Sequence, residues 1–342
     1  MMCLEITTRQ GSYFVHLGDL PQITLDCRVL VVSDTQVGQL YLNSFLDHLE
    51  ATHISTHLVP VGEAFKNWES VESILEAGFR ARLGRQDCMI ALGGGVVSDM
   101  VGFASAIYKR GIDFYNVPTT LLAQVDASVG GKTGINNAHG KNLIGAFHAP
   151  KGVYIDPVFL KSLEARAFKA GVAEMIKKAI CLDASYFEWL HTHPIKTHLL
   201  EAIFKSVQIK ARVVEADEHE KGLRMGLNYG HTFAHAIEKE GDYSQLLHGE
   251  AVGIGMRMAN ALALELGLLD PTAHTRVETL LRAYGLDLSY KIKNMDMFYA
   301  TMQQDKKNSA GVRFILPTGI GSFEMVDDVP KNVVYEVLRI WA

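Results

Sequence analysis

Residues 91–99 read Ala91-Leu92-Gly93-Gly94-Gly95-Val96-Val97-Ser98-Asp99, an apolar, strand-like run that breaks into three glycines and restarts with helical spacing. Such a break presents bare backbone N–H groups at the start of a helix, the arrangement that receives a pyrophosphate. A glycine-rich turn alone is weak, because many turns between strand and helix are simply tight. Thr119-Thr120, after the next apolar run, strengthens it: hydroxyls there fall at the carboxyl edge of the same sheet, where open α/β sheets bind ligands.

Outward from this stretch, residues 28–33 (RVLVVS), 54–59, 89–92 and 114–117 read as short buried strands, and residues 36–50 and 70–83 carry helical periodicity. The alternation is the βαβ rhythm of a parallel sheet covered on both faces. Between 129 and 149 the composition shifts to Gly, Asn, Lys and His, which predicts a long functional loop. From about Pro157 strand signals fade, and amphipathic helices are expected over 201–217, 227–240 and 250–266. A short β pair at 312–316 and 321–324, joined by Pro317-Thr318-Gly319, precedes a closing helix over 333–341. The expected architecture is an α/β Rossmann-like, nucleotide-binding domain with a parallel sheet at 1–156 and a mainly α-helical domain at 157–342.

The 342 residues, 48% hydrophobic, suffice for two domains with separate cores. A formal charge of −5 and the lack of a long Lys/Arg block argue against nucleic acid or an anionic membrane as partner, since both require a concentrated basic surface. Residues 90–108 are nearly free of charge, but the adjacent glycines and Asp99 suit a buried strand and helix better than lipid. Cys3, Cys27, Cys88 and Cys181 are too scattered for a thiolate zinc site and too few to staple the chain, so a reducing cytoplasm is expected. Glu5 and Arg9 stand where an export signal would need an apolar run.

Gly230-His231-Thr232-Phe233-Ala234-His235 and Leu247-His248-Gly249-Glu250 place three imidazoles in glycine-flanked, otherwise apolar sequence. His231 and His235 stand at i and i+4 and share a helix face; either both bind a metal, or one binds while the other supports it or carries a proton. The missing ligand should be a carboxylate, because two His and one Glu or Asp leave positions open for substrate oxygens. Candidates are Glu174, Glu238 and Glu250. Glu250 has the alternative task of capping a helix beside His248, and Glu238 falls on a face expected to be solvated. Glu174 is preferred because Ala173-Glu174-Met175-Ile176-Lys177 sets carboxylate and ammonium on one face of an apolar helix, although a plain salt bridge would look the same. A third, cationic group comprises Arg110, Lys132 and Lys141 with Asn142, in glycine-rich settings, and Lys210 and Arg224 with Asn228 in the helical half; these suit carboxylate and phosphate.

Taken together, GGGVVSD, RGIDFYNVPTTLLAQVDASVGGKTG, GKNLIGAF, AEMIK, LNYGHTFAHAIE and LHGEAV resemble the dehydroquinate synthase family, in family order from about Gly62 to Phe323. The resemblance implies an enzyme of the shikimate pathway that converts 3-deoxy-D-arabino-heptulosonate 7-phosphate to 3-dehydroquinate and phosphate. NAD, reduced and reoxidised in each turnover, and zinc or cobalt are the implied cofactors. By motif match the metal ligands are Glu174, His231 and His248, which moves His235 off the metal. The nucleotide contacts carry over to Val61, Gly62, Glu63, Ala64, Phe65 and Lys66, to Gly95, Val96, Val97, Ser98 and Asp99, to Thr119, Thr120, Lys132 and Lys141, and to Phe159, Leu160, Lys161 and Ser162. Asp126, Lys132, Asn142, Lys177, Lys210, Arg224, Asn228 and His235 are implied to meet substrate, with a lysine of Asp305-Lys306-Lys307, taken as Lys306. Arg110 is implied to reach a neighbouring subunit's site, hence a homodimer. Ser98 stands where many relatives carry Gly, Ala234 replaces a common Gly, and Asn137-Ala138-His139 is unusual; none removes a donor, ligand or charge. Two neighbouring readings are another sugar-phosphate cyclase, with an inositol- or valiolone-like product, and a metal-dependent polyol dehydrogenase.

Overall fold

The computed structural model describes residues 2–241, 245–304 and 312–342. The chain separates into two compact units, Met1–Leu163 and Glu164–Ala342. The first unit ends after Leu163 and not after Asp156 because the 3-10 helix Pro157–Ser162 is built into it: Phe159 is buried in the sheet core, and Tyr41 Oη donates to Ser162 Oγ at 2.6 Å.

The first unit contains the strands β1 (Met2–Thr8), β2 (Gly11–Leu17), β3 (Ile23–Asp34), β4 (Leu49–Val59), β5 (Cys88–Gly93), β6 (Asp113–Pro118), β7 (Lys132–Asn137), β8 (Gly140–Phe147) and β9 (Gly152–Ile155). Its helices are α1 (Thr35–Leu46), α2 (Trp68–Arg80) and α3 (Gly95–Ile107). Seven strands form one sheet in the order β1-β2-β9-β6-β5-β3-β4, parallel except for β1 against β2. Alternation in β3 makes both cores: Leu30 and Val32 pack with Val71, Ile74, Met100 and Val101 of α2 and α3, while Val29 and Val31 pack with Phe45 of α1 and with Phe159. A strand apolar on both sides is the mark of a doubly covered sheet.

Two sequence expectations change here, and one element is new. The helix expected over 36–50 stops at Leu46, and its last residues open β4. The N-terminal hairpin of β1 and β2 is not among the expected elements, although Tyr13, Val15 and Leu17 alternate along β2 and are buried. The loop expected at 129–149 is largely the antiparallel hairpin β7–β8, turned by Asn137, whose Oδ1 accepts from the N–H groups of His139 and Gly140. Its glycines hid it: a Cβ on Gly145 would lie 2.0 Å from Thr133 O, so the backbones approach too closely for the side chains that mark a strand.

The second unit holds α4 (Ala165–Leu182), α5 (Ala184–Thr192), α6 (Leu199–Ala216), α7 (His231–Glu240), α8 (His248–Glu265), α9 (Pro271–Ala283), α10 (Met295–Gln304) and α11 (Lys331–Leu338), with the hairpin of β10 (Phe314–Gly319) and β11 (Ser322–Val326). The single helix expected over 227–240 is interrupted: a 3-10 turn, Leu223–Asn228, ends before Gly230, whose φ of 80° is open to glycine at little cost, and α7 starts afresh at His231. Helix α8 is fixed by two close approaches. A Cβ on Gly249 would stand 2.3 Å from Ala170 Cα of α4, and one on Gly255 would stand 2.2 Å from Gly230 O at the start of α7. Tyr229, wholly buried, adds a hydroxyl bond to Met256 O at 3.2 Å.

Gly255→Ala should therefore lower stability by at least the roughly 1–3 kcal/mol of an overpacked core. Thermal unfolding checks this, and an unchanged midpoint would show that α7 and α8 can part without cost.

Candidate metal and nucleotide sites

In the second unit, three residues far apart in sequence converge. Glu174 lies mid-helix in α4, His231 opens α7 and His248 opens α8; one ligand atom from each lies within 4.8 Å of the others. Glu174 is 1% exposed, and Lys177, one turn on and also buried, makes an ionic contact with its Oε2. Neither Glu174 oxygen accepts a well-directed hydrogen bond among the described residues. A buried carboxylate so placed is costly unless a cation completes it. One carboxylate and two imidazoles are a donor set for a divalent transition metal with positions left open, so the residues fit such an ion.

Each imidazole is held from behind. His231 Nδ1 lies 3.3 Å from Tyr229 O, and His248 Nδ1 lies 3.4 Å from Glu238 Oε1, so a proton on each Nδ1 leaves Nε2 as the free lone pair. His248 Nε2 is 4.0 Å from Glu174 Oε1. Burial, then the Lys177 ammonium and the rings of His248 and His235, hold the His231 imidazole well below its ordinary pKa, keeping it neutral for ligation. Its ring centroid lies 5.2 Å from that of His248 and 5.6 Å from that of His235, which stands one turn along α7. Glu238, expected on a solvated face, is instead 3% exposed, because α7 is enclosed on nearly every side, with Lys239 its one exposed residue. Glu250 caps α8: its Oε2 accepts from Leu247 N at 2.8 Å, and Arg166 grips both oxygens at 2.6 and 2.7 Å.

Around this centre the 3-10 turn Leu223–Asn228 packs on α4 and α6. It carries Arg224, 2% exposed, with Nη1 donating to Glu218 O at 2.6 Å, and Asn228, with Nδ2 donating to Glu220 Oε1 at 2.5 Å. Lys210 is buried on α6. Lys306 lies outside the described residues.

In the first unit, the segments expected to meet a nucleotide follow the carboxyl ends of parallel strands. Val61–Lys66 follows β4, Gly95–Asp99 follows β5, Thr119-Thr120 follows β6 and Phe159–Ser162 follows β9. Consecutive strands diverge between β3 and β5, the switch point where such sheets open a crevice. Gly94 precedes α3 and offers no side-chain cap, leaving the first N–H groups of that helix for a ligand. A Cβ on Gly94 would meet Thr120 at 3.0 Å, and one on Gly95 would meet Ala127 at 3.1 Å, so larger residues would fill the cradle. Among the described residues, the buried Ser98 Oγ and Thr119 Oγ1 have no hydrogen-bond partner. These features fit a dinucleotide.

Lys66, 4% exposed, donates to Asp99 Oδ2 and Asn142 Oδ1, both at 2.5 Å. Asn136 accepts from Asn142 N at 3.0 Å and donates to Glu63 Oε1 at 2.7 Å. The strand-end segment, the helix start and the hairpin are thus one network, which joins Glu63, Lys66 and Asp99 to Asn142. Lys132 begins β7 and Lys141 lies in β8. Asp126 falls in the π-helical turn Ala123–Ala127, and Arg110 is exposed on a turn with a φ of 72°.

Sequence reading missed Asp217. It accepts from Lys221 N, Gly222 N and Arg224 N at 2.9, 2.7 and 3.0 Å, closing the loop that carries Arg224. The only signal was an Asp at a helix end a few residues before a glycine, common in any turn. Burial works against its charge, but the three N–H groups and the Arg224 guanidinium prevail and hold its carboxyl below the ordinary value. The folded pKa being depressed, its stabilisation is present above the unfolded value, about pH 3.9, and is lost as pH falls through the folded value. Asp217→Ala should cost about 1–3 kcal/mol for the orphaned donors and flatten the acid limb of the stability curve; wild-type stability at both pH 7 and pH 3 would contradict this.

Residues 56–170 match the 3-dehydroquinate synthase N-terminal domain and residues 171–308 the 3-dehydroquinate synthase C-terminal domain. A 3-dehydroquinate synthase of Helicobacter pylori is 54% identical over 342 residues, covering 100% of both chains. One of Wolinella succinogenes is 52% identical, covering 99% of both. Among solved structures, the 2-epi-5-epi-valiolone synthase of Streptomyces hygroscopicus, with NAD+ and Zn2+ bound, superposes with a TM-score of 0.86 at 28% identity over 98% of both chains. A 2-deoxy-scyllo-inosose synthase shares the fold, with a TM-score of 0.88 at 24% identity over 100% of both chains. Two domain matches in succession and full-length identity above one half place this chain in the 3-dehydroquinate synthase family.

Proposed function

We propose that the chain is a 3-dehydroquinate synthase, releasing phosphate from 3-deoxy-D-arabino-heptulosonate 7-phosphate and closing the remainder to 3-dehydroquinate, with NAD and one zinc or cobalt ion. The observation that carries the reading is the convergence of Glu174, His231 and His248. Relatives of that name match end to end at 52–54% identity, and the valiolone synthase of the same fold carries NAD+ and Zn2+. Held by those three side chains and by the strand ends of the first unit, the two cofactors would supply a hydride acceptor restored in each turnover and a polarising charge at the hydroxyl being oxidised.

The protein's own groups orient and neutralise a flexible anion. Lys177, beside Glu174, keeps an ammonium at the ligand cluster, where it can share a substrate oxygen. His235, one turn from His231, is positioned to accept or return a proton at that oxygen. Lys210, Arg224 and Asn228, fixed by packing and by the Asp217 loop, receive carboxylate, phosphate or hydroxyl groups, with Lys306 as a further cation. From the first unit Asp126, Lys132 and Asn142 meet the substrate, Lys141 meets nucleotide phosphate, and Arg110 serves a partner's site in a homodimer. No helix among the described residues is long and apolar enough to cross a membrane, in keeping with work in the cytoplasm.

Phosphate release from the heptulosonate phosphate should require the metal and stop on addition of a strong chelator, with no net NADH. Steady accumulation of NADH would instead indicate a polyol dehydrogenase. His248→Ala should lose metal and turnover together, by more than the roughly 10–100-fold that removal of a supporting partner costs, while NAD binding persists. Full activity with stoichiometric metal would overturn the assignment.

A further inference from the structure

We propose that Glu238 is the positioning residue of the metal centre: its buried carboxylate holds His248 by Nδ1, so that Nε2 faces the position that Glu174 and His231 share. The inference rests on the metal reading above and extends it to a residue outside the ligand set. His231, His235 and Glu238 stand at i, i+4 and i+7 of α7, so one helix face presents a ligand, a candidate proton carrier and this carboxylate. Glu238 is 3% exposed, and its Oε1 lies 3.4 Å from His248 Nδ1. A buried glutamate is expensive on an apolar helix face, which argues for a charge-dependent task.

The two imidazoles are oriented alike but not equally. His231 has a neutral acceptor, Tyr229 O at 3.3 Å, on the same stretch of chain that starts α7. His248 is the first residue of α8, its ring is about one-third exposed, and its Nδ1 faces a carboxylate from another helix. A ring at a helix start, partly open to water, is free to turn unless something holds it. The Arg166–Glu250 pair and the Gly249–Ala170 contact fix the backbone there but leave the ring's rotation undetermined. At 3.4 Å the contact is longer than an ordinary N–H···O bond. A cation on Nε2 would draw electron density from the ring and strengthen the Nδ1–H···O contact, and the carboxylate in turn would make the Nε2 lone pair a better ligand. The site gains a second negative charge near a divalent ion, offsetting the Lys177 ammonium that lies against Glu174.

The test compares full-length wild type, Glu238→Gln and Glu238→Ala, each stripped of metal and titrated with Zn2+ against a chromophoric chelator. Glu238→Ala should bind about 10–100-fold more weakly. Glu238→Gln, which keeps an acceptor oxygen but loses the charge, should fall between. With Co2+ in place of Zn2+, the visible d–d bands of Glu238→Ala should shift, since one ligand is no longer held in orientation. Unfolding midpoints of the metal-free proteins separate ligation from folding: the inference requires Glu238→Gln to match wild type there while losing metal affinity. Affinities of both variants within two-fold of wild type, or losses that track the metal-free midpoints, overturn it and leave the metal site standing. A wild-type chain that binds no Zn2+ overturns the metal reading and this inference together.

Discussion

The second unit depends on the close approach of α8 to its neighbours, made possible by glycine. Gly249 lies on Ala170 of α4 and Gly255 lies on Gly230 at the start of α7, each too near for any side chain. Those contacts set the helices that carry Glu174, His231 and His248 at separations their side chains can bridge. Backbones in direct contact have one way to pack, so the ligand atoms are held by the core and not by the flexibility of a loop. The arrangement stores an electrostatic cost, a buried carboxylate with an ammonium against it and two imidazoles nearby, which a divalent cation offsets.

The first unit's candidate site is built of backbone and the second's of side chains. At the carboxyl edge of the sheet the working parts are N–H groups, small residues and hydroxyls, suited to a pyrophosphate that must lie close to the chain. Lys66 is the tie, joining Asp99 at the start of α3 to Asn142 of the β7–β8 hairpin from a buried position. In the helical unit the parts are carboxylate, imidazole, ammonium and guanidinium, placed by long helices and by the loop that Asp217 closes. Each kind of contact suits its own chemistry: backbone N–H groups receive a compact polyanion, and charged side chains on fixed helices orient groups that change charge.

The chain's likeness to valiolone and inosose synthases is a likeness of frame. One frame that carries differently named synthases shows that the fold alone does not set the product, which is decided by individual side chains. In this chain Arg224 and Asn228 are held by local acceptors, Glu218 O and Glu220 Oε1, and Lys210 is buried on α6.

By itself the sequence determined the parallel sheet, the glycine turn into α3 and the helical second half, which are written in local periodicity, while its motifs of contiguous residues named Glu174, His231 and His248, which the fold brings together. Tertiary structure alone decided the rest. It turned the region 129–149 into a hairpin, because glycine-paired strands lack the alternation that marks a strand. It broke the helix expected at 227–240, because Gly230 must adopt a left-handed backbone against Met256. It also moved Glu238 from an expected solvated face to a buried position against His248. Whether a helix face meets water or protein is set by the neighbours that pack on it, and those neighbours are distant in the chain.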